Sequence, residues 1–113
     1  MELDVKLERD GDTCVIGLAG EVDVYTSPSF KDRLVKTIDE GCLKIVVDLE
    51  GVDFIDSSGL GVLVSGLRRV KEQGGSIRLV CTREPIMKVF RITGLDRVFP
   101  MFASVAEAKE MGS

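Results

Sequence analysis

A carboxylate and two hydroxyls stand side by side in the segment Asp56-Ser57-Ser58-Gly59, the most concentrated group of reactive side chains in the sequence. A serine hydroxyl becomes a catalytic nucleophile when a neighbouring base removes its proton, and histidine is the usual base. The chain contains no histidine. Catalytic triads, Cys-His pairs and histidine-ligated metal sites are therefore excluded, and the segment must act in another way.

This segment lies where a strand is expected to give way to a helix. Residues 44–49 form a short, nearly continuous apolar run, which is typical of a strand covered on both faces. The apolar spacing that follows the serines predicts an amphipathic helix, with Leu60, Leu63, Val64 and Leu67 on one face. At such a junction Ser57 or Ser58 can be the N-cap, and Gly59 and Gly61 leave room for another surface. Capping alone would explain the serines, and this interpretation stays open on physical grounds.

The elements around this junction are predicted from periodicity and from turn residues. Two alternating segments joined at Asp10-Gly11 predict an opening β-hairpin, and Ser27 as N-cap with Pro28 starts a helix that ends at Gly41. Later elements are expected as a strand at residues 77–81, a helix opened by Pro85, a short strand at Val98-Phe99 and a helix capped at Ser104. This order predicts an α/β fold with a mixed, mostly parallel sheet opened by the hairpin and about four helices packed on it.

Length and charge restrict the classes of function. With 113 residues we expect one domain, residues 1–113. The net charge of -4 leaves no basic stripe for phosphate backbones, so nucleic acid is not an expected partner. No apolar run approaches the ~18 residues of a membrane helix, and the acidic N-terminus is unlike a signal peptide. We therefore expect no membrane partner and a cytoplasmic location.

Three cysteines, Cys14, Cys42 and Cys81, are odd in number, far apart in sequence and surrounded by apolar residues. This pattern fits small hydrophobic side chains in a reducing compartment. The sequence therefore predicts three reduced thiols packed in the core.

Two motifs, Gly20-Glu21-Val22-Asp23 and Asp56-Ser57-Ser58-Gly59-Leu60-Gly61, carry a resemblance that extends over nearly the whole chain. The sequence resembles the STAS domain, and within it the stand-alone bacterial anti-anti-sigma factors, also called anti-sigma factor antagonists. The resemblance implies phosphorylation at the hydroxyl directly after the aspartate, which is Ser57. It also implies a partner-binding surface, for which the candidates are Glu21, Asp23, Asp56, Ser57, Ser58 and Gly59.

The resemblance further implies a regulatory cycle. The unphosphorylated protein would bind an anti-sigma factor serine kinase and release the sigma factor, and phosphorylation at Ser57 would end that binding. A PP2C-type phosphatase would remove the phosphate. ATP and magnesium would belong to the kinase, so this chain is expected to be no enzyme and to hold no cofactor. A phosphate at a helix N-terminus should leave the fold intact, because it meets free N–H groups there, so the switch should act between molecules.

Several alternatives remain beside this interpretation. Asp23 is either a solvated loop carboxylate or part of the partner surface. Asp48, after an apolar stretch, suggests a phosphorylated receiver domain, but the acidic pair such a domain needs after its first strand is missing. Asp48 and Asp53 are interpreted as separate carboxylates at a strand end or turn. No Gly-Lys-Ser/Thr follows Gly59-Leu60-Gly61, which argues against a phosphate-binding loop. The nearest rival is a soluble STAS accessory subunit of a lipid or anion transporter.

Overall fold

The computed structural model describes residues 2–110 and opens with an antiparallel hairpin. Strand β1 (Leu3–Asp10) pairs along its whole length with β2 (Thr13–Val22), and Gly11 in the turn has a φ of 64°, in the left-handed region that glycine adopts freely. Along β1, partly buried apolar residues alternate with exposed polar ones, as expected when one face of a strand is covered. The predicted hairpin is confirmed.

Three further strands extend the sheet from β2 in the order β1-β2-β3-β4-β5, and all of the added pairings are parallel. These strands are β3 (Lys44–Ile55), β4 (Ser76–Val80) and β5 (Met101–Phe102). The connections are helical: α1 (Ser27–Asp39), α2 (Ser57–Lys71), α3 (Glu84–Thr93) with a 3-10 turn (Leu95–Arg97), and finally α4 (Val105–Glu110). The predicted α/β class, with its mixed and mostly parallel sheet, is confirmed.

Both faces of the central strand β3 are covered, as its apolar run predicts. Ile45 and Val47 belong to the main core under α1, α2 and α3, whereas Val46 packs on the opposite face with Ala108 of α4. The two helices nearest the centre approach closely at Gly66 of α2, where a Cβ would come within 2.5 Å of Leu34 on α1. This packing fixes α2, and with it the helix start that follows β3.

Several predicted boundaries are wrong: β3 continues beyond residue 49 to Ile55, and β4 is Ser76–Val80 rather than residues 77–81. Helix α1 has Thr26 at its N-cap position, one residue before the predicted Ser27. The last strand is Met101–Phe102, because the backbone N–H groups of Val98 and Phe99 donate to Leu95 O and close a helical turn instead. A short apolar run does not determine which of its residues pairs with a neighbouring strand.

The expectation of three free thiols is wrong for two of them. Cys14 at the start of β2 and Cys42 just before β3 form a disulfide, with their Cα atoms 6.4 Å apart. The 28-residue separation gave no sign of this proximity, which arises because α1 returns the chain to the same end of the sheet. Cys81 is a free, buried thiol, and burial raises its pKa.

None of the helices within residues 2–110 has the length and apolar character needed to cross a bilayer.

Candidate functional site

The ends of β2 and β3 bring the two sequence motifs together. In the parallel pairing Val22 stands opposite Ile55, and the backbone N–H of Asp56 donates to Val22 O at 3.1 Å. The loop after β2 and the start of α2 therefore leave the sheet from the same end. We call this region, residues 21–26 and 53–59, the carboxyl edge.

Asp56 caps helix α2. Its Oδ1 accepts hydrogen bonds from Ser58 N at 2.9 Å, from Gly59 N at 3.4 Å and from the Ser58 hydroxyl at 2.5 Å. The hydrogen bond from the Ser58 hydroxyl, supported by those from the two backbone amides, outweighs the opposing effect of burial and holds the pKa of Asp56 below its usual value. The sequence allowed Ser57 or Ser58 as the N-cap; that assignment is wrong, because the carboxylate one residue earlier reaches the free amides.

The two serines at this junction have different environments. Ser57 is exposed, and its hydroxyl has no hydrogen-bond partner within the described part of the chain. Ser58 is partly buried and donates its hydroxyl to Asp56. Ser57 is also the first residue of α2, where the helix dipole is positive and backbone N–H groups are free. A new negative charge on Ser57 would therefore lie in a favourable local field.

Asp23 lies on the same edge, but its carboxylate faces the protein. The residue is only 7% exposed, and Oδ1 accepts from Tyr25 N at 2.9 Å and from Thr26 N at 3.0 Å. The expectation of an exposed carboxylate is therefore wrong, because the loop folds back over it. In this structure Asp23 holds the shape of the β2–α1 loop.

Thr26 is a residue of this edge that neither sequence motif includes. Its hydroxyl donates to Glu21 O at 2.7 Å and accepts from Asp23 N at 2.9 Å, which closes the loop on itself. The spacing of an aspartate three residues before a threonine, directly ahead of a helix start, is the signal that could have identified it. Glu21 itself is partly buried and lies opposite Phe54 in the strand register.

Of the two glycines in the second motif, Gly59 is closely packed and Gly61 is open to solvent space. A Cβ on Gly59 would come within 2.5 Å of Val22 Cγ1 and 2.9 Å of Ile55 Cγ1, whereas a Cβ on Gly61 would meet nothing within 4 Å. The open space expected beside both glycines therefore exists only at Gly61. Gly59 is buried because the start of α2 packs directly on the ends of β2 and β3.

The remaining acidic candidates lie apart from one another. Asp48 sits within β3 rather than after it and accepts from Glu50 N at 2.9 Å, which does not match the receiver hypothesis. Asp53 forms an exposed ion pair with Arg83 at 3.0 Å. Within residues 2–110, no group of three or more Cys, Asp and Glu side chains could hold a metal ion.

The sequence model of the STAS domain matches residues 4–108, which is nearly the whole chain. The chain belongs to the STAS domain family. The "Anti-sigma-B factor antagonist" of Bacillus subtilis is 34% identical over 103 residues, which cover 91% of this STAS chain and 94% of that protein.

Solved STAS structures share the fold. An anti-sigma factor antagonist from Mycobacterium paratuberculosis superimposes with a TM-score of 0.92 over 98% of this chain and 94% of its own, at 22% identity. The Bacillus cell fate determinant SpoIIAA, solved in its phosphorylated form, has a TM-score of 0.76 and 27% identity, covering 96% of this chain and 98% of that one. The expected membership of the STAS family is thus confirmed, as is its fold.

We expect Asp56→Ala to lower the free energy of unfolding of this STAS domain by about 1 kcal/mol, because α2 loses its cap. Asp56→Asn keeps an acceptor oxygen at the same place and is the control, with a smaller loss. Urea unfolding followed by circular dichroism measures both. Equal stability of Asp56→Ala and the wild type would contradict the capping role.

The lowered pKa of Asp56 adds a pH dependence. A carboxylate whose pKa is lower in the folded state stabilises the protein above its unfolded pKa of about 3.9, and the contribution is lost as the pH falls below that value. The difference in stability between the wild type and Asp56→Asn should therefore shrink between about pH 5 and pH 2.

Gly59→Ala and Gly61→Ala should shift stability in opposite directions. The new methyl group at Gly59 overlaps Val22 and Ile55, and such overpacking costs about 1 to 3 kcal/mol. At Gly61 the space is open, and replacing a glycine by alanine inside a helix stabilises by about 0.5 to 1 kcal/mol. Thermal melts of the two variants test this pair, and a Gly59→Ala variant that melts above the wild type would contradict the packing.

Proposed function

We propose that this STAS protein is an anti-sigma factor antagonist controlled by phosphorylation at Ser57. Its unphosphorylated form binds an anti-sigma factor serine kinase through the carboxyl edge, and the sigma factor is released. Phosphorylation by that kinase ends the binding, and a PP2C-type phosphatase restores it. The chain acts as a single regulatory domain in the cytoplasm, with no catalysis or cofactor of its own.

The observation that carries this proposal is the contrast between the two hydroxyls. A kinase must bring the acceptor oxygen against the γ-phosphate of ATP, so the acceptor has to be exposed and free of competing bonds. Ser57 meets both conditions, whereas the hydroxyl of Ser58 is committed to Asp56. The names of the relatives support the regulatory role, since they describe antagonists of anti-sigma factors.

The proposed partner surface consists of Glu21, Asp23, Asp56, Ser57, Ser58 and Gly59. Ser57 is its exposed member and would touch the partner directly, whereas Glu21 is partly buried and would contribute charge at the edge. Asp23 and Gly59 are buried and would act through the shape of the edge. Asp56 and Ser58 fix the start of α2 that presents Ser57.

Reconstitution tests the proposal. An anti-sigma factor serine kinase from the same genome is loaded with its sigma factor, and the unphosphorylated chain is added. We expect sigma factor to be released in gel filtration, and with ATP we expect one phosphate to appear on the chain by intact mass. If neither release nor phosphorylation occurs with any encoded kinase of this class, the proposed function is wrong.

A further inference from the structure

Large apolar side chains are exposed at the carboxyl edge. The described part of the chain has five exposed large hydrophobic residues, and three of them lie on this edge: Val24, Tyr25 and Phe54. Tyr25 is 76% exposed and Phe54 is 49% exposed. Single exposed apolar residues are common on protein surfaces, whereas several that share one edge indicate an interaction site.

The other two, Ile92 and Val98, belong to segments outside the carboxyl edge. Ile92 lies in the last turn of helix α3, which starts after the carboxyl end of β4 and leads back towards the start of the next parallel strand. Val98 follows the 3-10 turn and precedes the short strand β5. The apolar residues of the carboxyl edge are therefore a separate group, and Ile92, 74% exposed, is a matched control for Tyr25.

The exposure of Val24 and Tyr25 is imposed by the hydrogen bonds of their loop. Asp23 accepts from Tyr25 N and Thr26 N, and the Thr26 hydroxyl donates to Glu21 O. These bonds turn the polar residues inward and leave the two apolar residues between them outside. A preorganised loop presents its anchors to a partner without a further ordering cost, which favours affinity.

The charges around Tyr25 and Phe54 indicate which side chains a complementary partner surface must carry. Glu21 stands opposite Phe54 in the register of β2 and β3, and the ionised Asp56 follows two residues after Phe54. The nearby Arg83 is engaged in an ion pair with Asp53. A complementary surface is therefore an apolar pocket flanked by arginine or lysine side chains.

We propose that Tyr25 and Phe54 are apolar anchors that insert into such a basic-rimmed pocket on the anti-sigma factor kinase; this inference rests on the proposed function. Aromatic side chains at the centre of an interface carry a large share of the binding energy, and here both belong to the edge that also carries Ser57, the proposed phosphoacceptor. A phosphate on Ser57 would then add charge beside an apolar contact that must exclude water.

Binding titrations of the kinase with Tyr25→Ser, Phe54→Ser and Ile92→Ser test the anchors. We expect Tyr25→Ser and Phe54→Ser each to weaken binding at least about tenfold, and Ile92→Ser to bind as the wild type does. Thermal melts of each variant establish that it is folded at the titration temperature. Should Phe54→Ser fail that check, Phe54→Leu replaces it, with a smaller expected loss than for the serine variant but still a loss relative to Ile92→Ser.

The outcomes separate this inference from the proposed function. If the wild type binds and all three variants bind equally well, Tyr25 and Phe54 are not anchors, and the proposed function stands. If Ile92→Ser weakens binding as much as the edge variants do, the loss of affinity is not specific to the carboxyl edge, and the assignment of Tyr25 and Phe54 as anchors is again contradicted. If the wild type binds no encoded kinase of this class, both proposals fail together.

Discussion

Ser57→Ala should abolish phosphorylation of this protein by the proposed anti-sigma factor kinase. The exposed hydroxyl at the start of α2 is the proposed acceptor, and its removal leaves the kinase without an oxygen in position. Because the side chain makes no hydrogen bond within the described residues, the variant should fold as the wild type does, and it should remain in the unphosphorylated form that binds the kinase. Intact mass spectrometry after incubation with ATP measures the loss. In cells the variant should keep the sigma-dependent promoter active.

Ser58→Ala is the matched control for this experiment. It removes a neighbouring hydroxyl that donates to Asp56, so it should change stability by about 1 kcal/mol while phosphorylation of Ser57 continues. If Ser57→Ala still acquires one phosphate per chain, whether on Ser58 or elsewhere, the acceptor is misassigned.

Much of the fold could be predicted because its elements have distinct periodicities. The hairpin follows from strict alternation around Asp10-Gly11, and the central strand follows from an uninterrupted apolar run. The disulfide between Cys14 and Cys42 could not be predicted, because it depends on how α1 returns the chain to the sheet. The last strand was misplaced for a similar reason, since strand register is set by tertiary pairing.

The candidate site was only partly predictable. Motif positions identified Asp23 and Asp56, but their roles depend on hydrogen bonds made by neighbouring backbone amides. Sequence alone did not reveal that Asp23 is buried, nor that Asp56 rather than a serine caps α2. Aspartate and serine are both favoured N-caps, so the choice between adjacent candidates depends on which residue has the extended backbone that precedes the helix, and here this is Asp56.

Phosphorylation of Ser57 should weaken binding to the kinase by at least about 100-fold while leaving the domain folded. The phosphate adds a charge of about -1.5 to -2 at the N-terminus of α2, where free N–H groups and the helix dipole favour an anion. Within the domain this effect offsets the repulsion from Asp56. At a closed interface the same charge must lose its water next to Asp56 and Glu21, and like charges brought together there cost several kcal/mol.

Two measurements on the phosphorylated and unphosphorylated protein test whether phosphorylation weakens partner binding and leaves the fold intact. Titration against the kinase gives the loss of affinity, and thermal melting gives the effect on the fold. The melting temperature should change by no more than a few degrees, because a surface charge contributes about 1 kcal/mol or less. Ser57→Asp should lose less affinity than the phosphoprotein, because one carboxylate carries a smaller charge. If phosphorylation instead removes the cooperative melting transition, the switch acts by unfolding the domain, and the proposed contact between Ser57 and the partner is not needed to explain it.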